Sequence, residues 1–248
     1  PEADVFYGWH FPAELLGRAR LLRGSHTASA GAVGYMSTDV LARDIALTNA
    51  AGVAASAIAE HALGLMLALS RNLHVAARLQ QEGHWDRVAV MVGTGTPVRE
   101  FRKSHVAVLG LGPIGRAVAE AAAALGAVVK GLRRHPSGKQ VPPFEAVLGR
   151  ADLGRLLAWA DFVVVALPHT AETTGLIGPR EFALMRADAY LVNVARGAII
   201  DEAALADALA RSAIAGAALD VFAAEPLPPE SPLWRLPNVI ITPHVAGA

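Results

Sequence analysis

The chain of 248 residues has no cysteine, no excess of either charge and no long apolar run. Without cysteine there are no disulfides, no thiolate metal ligands and no cysteine nucleophile. Basic and acidic residues balance at 22 each, so net charge attracts neither nucleic acid nor an anionic membrane. The apolar run that begins at Ala62 is far too short to span a bilayer, and no signal peptide opens the chain. We predict a cytoplasmic protein with no metal site and with no membrane or nucleic-acid partner.

What the chain does have is a regular alternation of apolar strands and helices. Hydrophobic residues make up 53% of it, which is typical of a globular protein with a sizeable core. Near-continuous apolar runs indicate strands buried on both faces, and six of them follow one another from His105 onward: HVAVLG, AVVKGLR, DFVVVALP, AYLVNV, GAALDV and NVIITP. We predict an α/β fold with a doubly wound parallel sheet of the Rossmann type.

The part of the chain before this sheet divides into a small domain and a helix. Residues 1–55 are interpreted as short βα units, with strands at ADVFYG and IALTN and helices at PAELLGRA and STDVLARD. From Ser56, SAIAEHALGLMLALSRNLHVAARLQQ predicts one helix, because alanine and leucine dominate and no proline interrupts it. Its wide apolar surface predicts packing on two sides, between domains or between subunits. We place the domain boundary between residues 55 and 56, which gives domains 1–55 and 56–248.

A glycine-rich turn follows the first strand of the predicted sheet. Gly110, Gly112 and Gly115 form G-x-G-x-x-G between a strand and a helix, with Pro113 and Ile114 at the helix start. Such glycines permit a tight turn, close approach of a pyrophosphate, and close packing of helix on strand. The helix start adds free N–H groups and a positive dipole end. The alternative is a tight turn without a ligand, but the context favours a dinucleotide site at these five residues.

The end of the next strand indicates which dinucleotide binds. NAD sites usually have Asp or Glu there, about twenty residues after the motif, to bind the ribose 2′-hydroxyl. This chain has Arg133 and Arg134 at that point and no carboxylate on the strand. Two guanidinium groups can hold a 2′-phosphate. The alternative is that they are solvated loop charges. We predict NADP as the favoured cofactor, with NAD as the second choice.

Four residues that can do chemistry follow the last three strands. Arg196 follows AYLVNV, Asp220 and then Glu225 follow GAALDV, and His244 follows NVIITP. Ligands of open parallel α/β sheets bind outside the carboxyl ends of the strands. Taken singly, each residue is more often structural or solvated. Together at one sheet edge they predict a site that anchors a small acid and moves a proton.

These strand ends lie within motifs that resemble the D-isomer-specific 2-hydroxyacid dehydrogenases, which include glyoxylate/hydroxypyruvate reductases and phosphoglycerate dehydrogenase. The motifs are LPHTAETTGLIG, LVNVARGAIIDEAAL, AGAALDVFAAEPLPPESPLW and NVIITPHVAG. The resemblance implies a dinucleotide-binding domain at 56–248 and a partial, flavodoxin-like substrate domain at 1–55. It also implies hydride transfer between NAD(P)H and a small 2-oxo acid, such as glyoxylate or hydroxypyruvate, in a homodimer.

The resemblance also implies a role for each site residue. Arg196 would bind the substrate, Glu225 would be the carboxylate partner, and His244 would be the acid/base. Imidazole suits proton transfer in both directions near neutral pH. The resemblance further implies that Asp220 contacts the nicotinamide carboxamide and that Pro168 and Thr170 contact the cofactor ribose. It also implies that the backbone N–H groups of Ala30 and Gly31 bind the substrate carboxylate.

Two other functions stay open from the sequence. The family also contains dinucleotide-sensing corepressors that keep the same three residues, so an interaction protein is one alternative. An inactive fragment is the other, because members usually have another βα unit at the start and a closing helix after the catalytic histidine. We expect both elements to be missing from this chain.

Overall fold

A computed structural model describes residues 3–8, 18–28, 31, 43, 45–94, 96–136, 138 and 141–248. By its internal contacts the chain divides into two compact units, residues 1–55 and 56–248. The role of the first unit as a substrate domain stays a prediction.

The first unit contains a parallel three-stranded sheet in the order β1-β2-β3, formed by Val5–Gly8, Gly24–Thr27 and Ala46–Asn49. Both predicted strands are present. The middle strand has the polar sequence GSHT and begins at Gly24, the last residue of the segment RLLRG. The His26 ring stacks on Tyr7 with 5.6 Å between ring centres, and its Nδ1 lies 2.8 Å from Thr48 Oγ1. Cross-strand contacts of this kind stabilise a polar strand. The two helices predicted here fall largely outside the described residues.

The second unit contains a parallel seven-stranded sheet in the order β10-β9-β8-β7-β4-β5-β6. All six predicted strands are present, and the short β6 was missed. The order reverses between β4 and β7, the arrangement that opens a crevice at the carboxyl ends of a doubly wound sheet. The strands β4 to β10 are His105–Leu109, Val128–Leu132, Ala146–Leu148, Phe162–Val165, Tyr190–Asn193, Gly216–Leu219 and Val239–Ile241.

Helices connect the strands and precede the sheet. In the described part of the chain they are α1 to α7: Ala55–Ser70, Leu73–Gln81, Arg87–Val92, Pro113–Ala124, Leu153–Trp159, Pro179–Phe182 and Glu202–Ala210. Short 3₁₀ turns lie at Arg150–Asp152, Gly197–Ile199 and Pro232–Arg235. In the described residues, no helix is long and apolar enough to cross a membrane.

The prediction of one continuous helix from Ser56 was wrong, because the helix breaks at Asn72. This residue is left-handed (φ 52°), a conformation that asparagine tolerates better than most residues. Its buried side chain donates hydrogen bonds of 3.1 Å to the carbonyl oxygens of Val90 and Thr96. These tertiary contacts end α1 without a proline or glycine.

The sheet is buried on both faces, as the apolar runs predicted. One face packs under α5 and α7 through a cluster that includes Leu156 and Leu205. The other packs under α1 and α4 through a cluster that includes Met66 and Val118. Every residue of β7, β8 and β9 is buried, so polar side chains collect where these strands end.

Ion pairs occupy the amino-terminal edge of the sheet, just before β7 and β8. Arg99 lies 3.7 Å from Asp161 and 3.8 Å from Asp188. The Arg186 guanidinium donates two 2.8 Å hydrogen bonds to Asp188 and lowers the pKa of that carboxyl. Because these charges satisfy one another, this edge serves to hold the strands. The candidate site lies at the opposite edge.

Candidate active site

The glycine-rich turn between β4 and α4 has the close packing that its spacing predicts. Gly110 has φ +106°, and a Cβ atom there would lie 2.5 Å from the Ala166 carbonyl oxygen at the end of β7. A Cβ atom at Gly115 would overlap the Gly110 carbonyl oxygen. Glycine is therefore required at both positions, where β4, α4 and the end of β7 meet.

Gly112 differs from the other two glycines because its backbone faces open space. A Cβ atom there would meet nothing within 4 Å, and the residue caps the amino end of α4 with Pro113 in the first turn. The first turn of a helix has N–H groups with no acceptor within the helix, and its dipole favours an anion. The residues present therefore fit a pyrophosphate, which the N–H groups of Ile114 and Gly115 would bind.

The two arginines after β5 have different surroundings. Arg133 is half-buried, and its backbone N–H donates to Leu148. Arg134 is exposed and pairs with Glu172, with 3.1 Å between Nη1 and Oε2. As predicted, β5 itself supplies no carboxylate. The loop after β7, however, brings the carboxylate of Glu172 next to Arg134. Sequence reasoning missed Glu172 because it lies 38 positions from Arg134 along the chain.

The loop after β7, which includes Pro168 and Thr170, is held by Thr173. The Thr173 hydroxyl donates to the Pro168 carbonyl oxygen (2.7 Å) and accepts the Thr170 N–H (2.8 Å). Both predicted cofactor residues are exposed on this loop, which begins at the β4–β7 reversal. Their contact with the cofactor ribose stays a prediction.

A buried asparagine shapes the turn that presents Arg196. Asn193, the last residue of β8, donates through Nδ2 to the Arg196 carbonyl oxygen (3.0 Å) and accepts the Ala195 N–H (3.1 Å). Arg196 Nη1 donates to the Ala195 carbonyl oxygen (2.6 Å). Across the described residues, Arg196 forms no ion pair with a carboxylate. Its other guanidinium donors therefore remain for an anionic ligand.

The Arg196 turn packs directly on the loop that carries Glu225. A Cβ atom at Gly197 would overlap the backbone of Phe222, so only glycine allows this approach. The Phe222 N–H donates in turn to Glu225 Oε1 (2.9 Å). The ends of β8 and β9 are thus joined through Phe222.

His244 and Glu225 form a close pair. His244 Nδ1 lies 2.6 Å from Glu225 Oε2, and the two side chains are 48% and 34% exposed. A carboxylate only accepts hydrogen bonds, so Nδ1 carries the proton and Nε2 is left to exchange one with a ligand. The sequence predicted both residues, and the structure brings them together from positions 19 apart.

Asp220 is buried and holds the backbone on which His244 lies. Its carbonyl oxygen accepts the His244 N–H (2.8 Å), and its carboxylate accepts the N–H groups of Val245 and Ala246 (3.0 Å each). The Thr242 hydroxyl also donates to the carboxylate (2.6 Å). His244 has φ +54°, in the left-handed region. The contact of Asp220 with nicotinamide stays a prediction, while its observed contacts fix the loop of His244.

The two predicted substrate-binding residues of the first unit are only partly covered by the structure. Gly31 is described as half-buried, and Ala30 lies outside the described residues. Their proposed contact with the substrate carboxylate stays a prediction.

Comparison with known proteins shows the family to which the chain belongs. The D-isomer specific 2-hydroxyacid dehydrogenase family, NAD binding domain, matches residues 63–246. The chain belongs to this family. The resemblance inferred from the motifs is therefore confirmed, as is the Rossmann-type fold, and the glycine-rich turn lies within the family's NAD-binding domain.

Curated members of the family include both reductases and dehydrogenases. The chain is 36% identical over 253 residues to glyoxylate/hydroxypyruvate reductase B of Pectobacterium carotovorum, covering all of this chain and 76% of that protein. It is 37% identical over 236 residues to D-3-phosphoglycerate dehydrogenase of Archaeoglobus fulgidus, covering 95% of this chain and 43% of that protein. The chain thus spans less than half of the second relative.

A solved structure of a family member has a very similar fold. The D-isomer specific 2-hydroxyacid dehydrogenase of Xanthobacter autotrophicus, in complex with NADPH and MES, superposes with a TM-score of 0.86 at 34% identity. The comparison covers 99% of this chain and 75% of that one.

Several residues that shape the site were not predicted. Asn193 lies inside the motif LVNVARGAIIDEAAL and ends the apolar strand β8. A polar residue at such a strand end is a signal from which its role could have been predicted. Thr242 directly follows β10 inside the motif NVIITPHVAG and carried the same signal, whereas a histidine on a helix, such as His61, is too common to be a signal. The two side chains lie in hydrogen-bond contact although they are 181 positions apart in the chain.

Proposed function

We propose that this chain is an oxidoreductase that uses NADPH to reduce a small 2-oxo acid, such as glyoxylate or hydroxypyruvate, to the D-2-hydroxy acid. The observation that carries the proposal is the 2.6 Å pair of His244 and Glu225. It lies at the carboxyl edge of the sheet whose β4–α4 turn fits a pyrophosphate. The relatives with reductase names support the substrate class. The cytoplasmic location stays a prediction from the sequence.

The chain's own residues perform the remaining parts of the reaction. Hydride for the carbonyl carbon is the chemistry that NADPH supplies when bound. The Arg196 guanidinium binds the substrate carboxylate and polarises the carbonyl. His244 donates its Nε2 proton to the forming alkoxide and takes it back in the reverse direction. Glu225 orients the imidazole by accepting the hydrogen bond of Nδ1.

An assay of the full chain with a panel of 2-oxo acids tests this function. Each acid is offered with NADPH and with NADH, and the loss of reduced-nicotinamide absorbance is followed. We expect turnover of at least one short 2-oxo acid, because Arg196 provides a carboxylate anchor. If no acid is turned over while NADPH still binds, the result favours the dinucleotide-sensing alternative. Failure to bind either cofactor would contradict the proposal at the glycine-rich turn.

We propose that Arg134 contributes to the preference for NADPH and that Glu172 opposes it. Arg134→Ala should weaken NADPH binding roughly 10- to 150-fold, because a charge-assisted hydrogen bond to the 2′-phosphate, worth about 1.5–3 kcal/mol, is lost. Glu172→Gln should tighten it by up to about fivefold, because an exposed ion pair that competes for Arg134 is removed. NADH binding should change in neither variant. Titration calorimetry with both cofactors measures this.

Glu230→Gln is the matched control for Glu172→Gln, because Glu230 is exposed on a different loop. Equal changes in the Kd values for NADPH and NADH would contradict the assignment of Arg134 and Glu172 to recognition of the 2′-phosphate. They would mean that the substitutions disturb the loop and not the recognition of the phosphate.

We also propose that the chain forms a homodimer through the surface around α3. Trp85 is 98% exposed there, and Val88, Met91 and Val92 are each more than half exposed. An apolar cluster of this kind on a protein surface is typical of an interface.

Val88→Asp should therefore shift the protein from twice the mass of the chain to the mass of one chain, because a charge would be buried without a partner. Light scattering after size exclusion measures the mass. Leu125→Asp is the control, because Leu125 is 44% exposed at the end of α4. A monomeric wild-type protein would refute the dimer.

A further inference from the structure

The side chain of His61 on α1 contacts the residues that hold the loop of His244. His61 Nε2 lies 3.0 Å from Thr242 Oγ1 and 3.7 Å from Asp220 Oδ1. The side chain is 23% exposed, so it is mostly shielded from water. None of the functional assignments above uses this imidazole.

The chemistry of the three groups sets the direction of their hydrogen bonds. The Asp220 carboxylate only accepts, and the Thr242 hydroxyl has a single proton, which it donates to Asp220 across 2.6 Å. Thr242 Oγ1 can then only accept from His61, so His61 Nε2 carries a proton. The result is a directed chain of hydrogen bonds from His61 through Thr242 to Asp220.

These hydrogen bonds continue from Asp220 to the backbone of His244, the candidate acid/base. Asp220 accepts the N–H groups of three consecutive residues, His244, Val245 and Ala246. His244 has a left-handed backbone (φ +54°), which costs energy for a residue with a side chain. Its geometry therefore depends on Asp220, whose carboxylate position depends in part on Thr242 and His61.

We propose that His61 is a positioning residue, which holds Thr242 and Asp220 so that the His244 imidazole is correctly placed for proton transfer. The proposal rests on the function proposed above, because it assigns His61 to the same reaction. The competing explanation is that His61 merely packs α1 against the sheet. In that case the Nε2 hydrogen bond would have no special effect on the chemical step.

Substitutions of His61 that keep or remove the donor separate these explanations. His61→Leu should lower kcat about 5–10-fold, the effect of losing one partly buried hydrogen bond, while KM and the Kd for NADPH change little. His61→Gln keeps an N–H donor at similar reach and should recover most of the kcat. His84→Leu is the control, because the His84 side chain is 74% exposed. Equal losses in the Leu and Gln variants of His61 would overturn the proposal.

Thr242→Val removes the middle of the hydrogen-bond chain and provides a second test. It should lower kcat as His61→Leu does, and the double variant should be no worse than either single variant, because all three lack the same connection. Independent, multiplying losses would overturn the proposal.

If the wild-type protein shows no turnover, the same variants still test whether His61, Thr242 and Asp220 are connected by hydrogen bonds. Urea unfolding of the two single variants and the double variant should then show non-additive losses of stability. Such a result would mean that the proposed function fails while the connection holds. Additive losses of stability would refute the connection itself.

Discussion

Replacing His244 with alanine is expected to lower kcat for reduction of a 2-oxo acid about 10²–10⁴-fold, the usual contribution of a positioned acid/base. The affinity for NADPH should stay unchanged, because the predicted phosphate contacts lie at the β4–α4 turn. Steady-state kinetics and titration calorimetry on the same preparations measure both quantities.

His244→Asn separates proton transfer from the support of the loop. Its amide can still donate to Glu225, which lies 2.6 Å from the native Nδ1, but it cannot protonate an alkoxide at neutral pH. We expect the asparagine variant to unfold at nearly the wild-type urea concentration and to be about as inactive as the alanine variant. An asparagine variant with nearly wild-type kcat would show that His244 is not the acid.

The second large effect is expected for Arg196. Arg196→Ala should lower kcat/KM roughly 30- to 4,000-fold, because truncating one partner of a hydrogen-bonded charge pair costs about 2–5 kcal/mol. In the described part of the chain this guanidinium has no carboxylate partner, so the substrate carboxylate would be its main counter-ion. Arg196→Lys should recover only part of the loss, because an ammonium group cannot bind a carboxylate in the same planar, two-point manner.

Arg211→Ala is the control for Arg196→Ala. Arg211 is an exposed arginine in the second unit and pairs with Asp207 on the surface of α7. Its loss should leave kcat/KM unchanged, because exposed ion pairs contribute little. If Arg196→Ala behaves like this control, Arg196 does not bind the substrate.

The sequence by itself identified six of the seven strands in the sheet of the second unit. Buried parallel strands must be apolar on both faces, so the six runs could be recognised one by one. The spacing of Gly110, Gly112 and Gly115 could be interpreted locally as well, because the turn needs glycine for reasons of backbone geometry. Polar residues at the ends of apolar strands then identified Arg196, Glu225 and His244 as candidates, since the carboxyl ends of parallel strands share one edge.

The tertiary structure decided what no local pattern contains. The break at Asn72 depends on carbonyl groups 18 and 24 positions away. The pairing of Arg134 with Glu172 depends on two loops, and that of Thr242 with His61 on a strand end and a helix, which meet only after folding. Hydrogen bonds and ion pairs act over a few ångströms, so residues far apart in the chain can form them only when packing brings them together. The chemistry of the candidate site could thus be named from the sequence, but its support by Asp220, Thr242 and His61 required the fold.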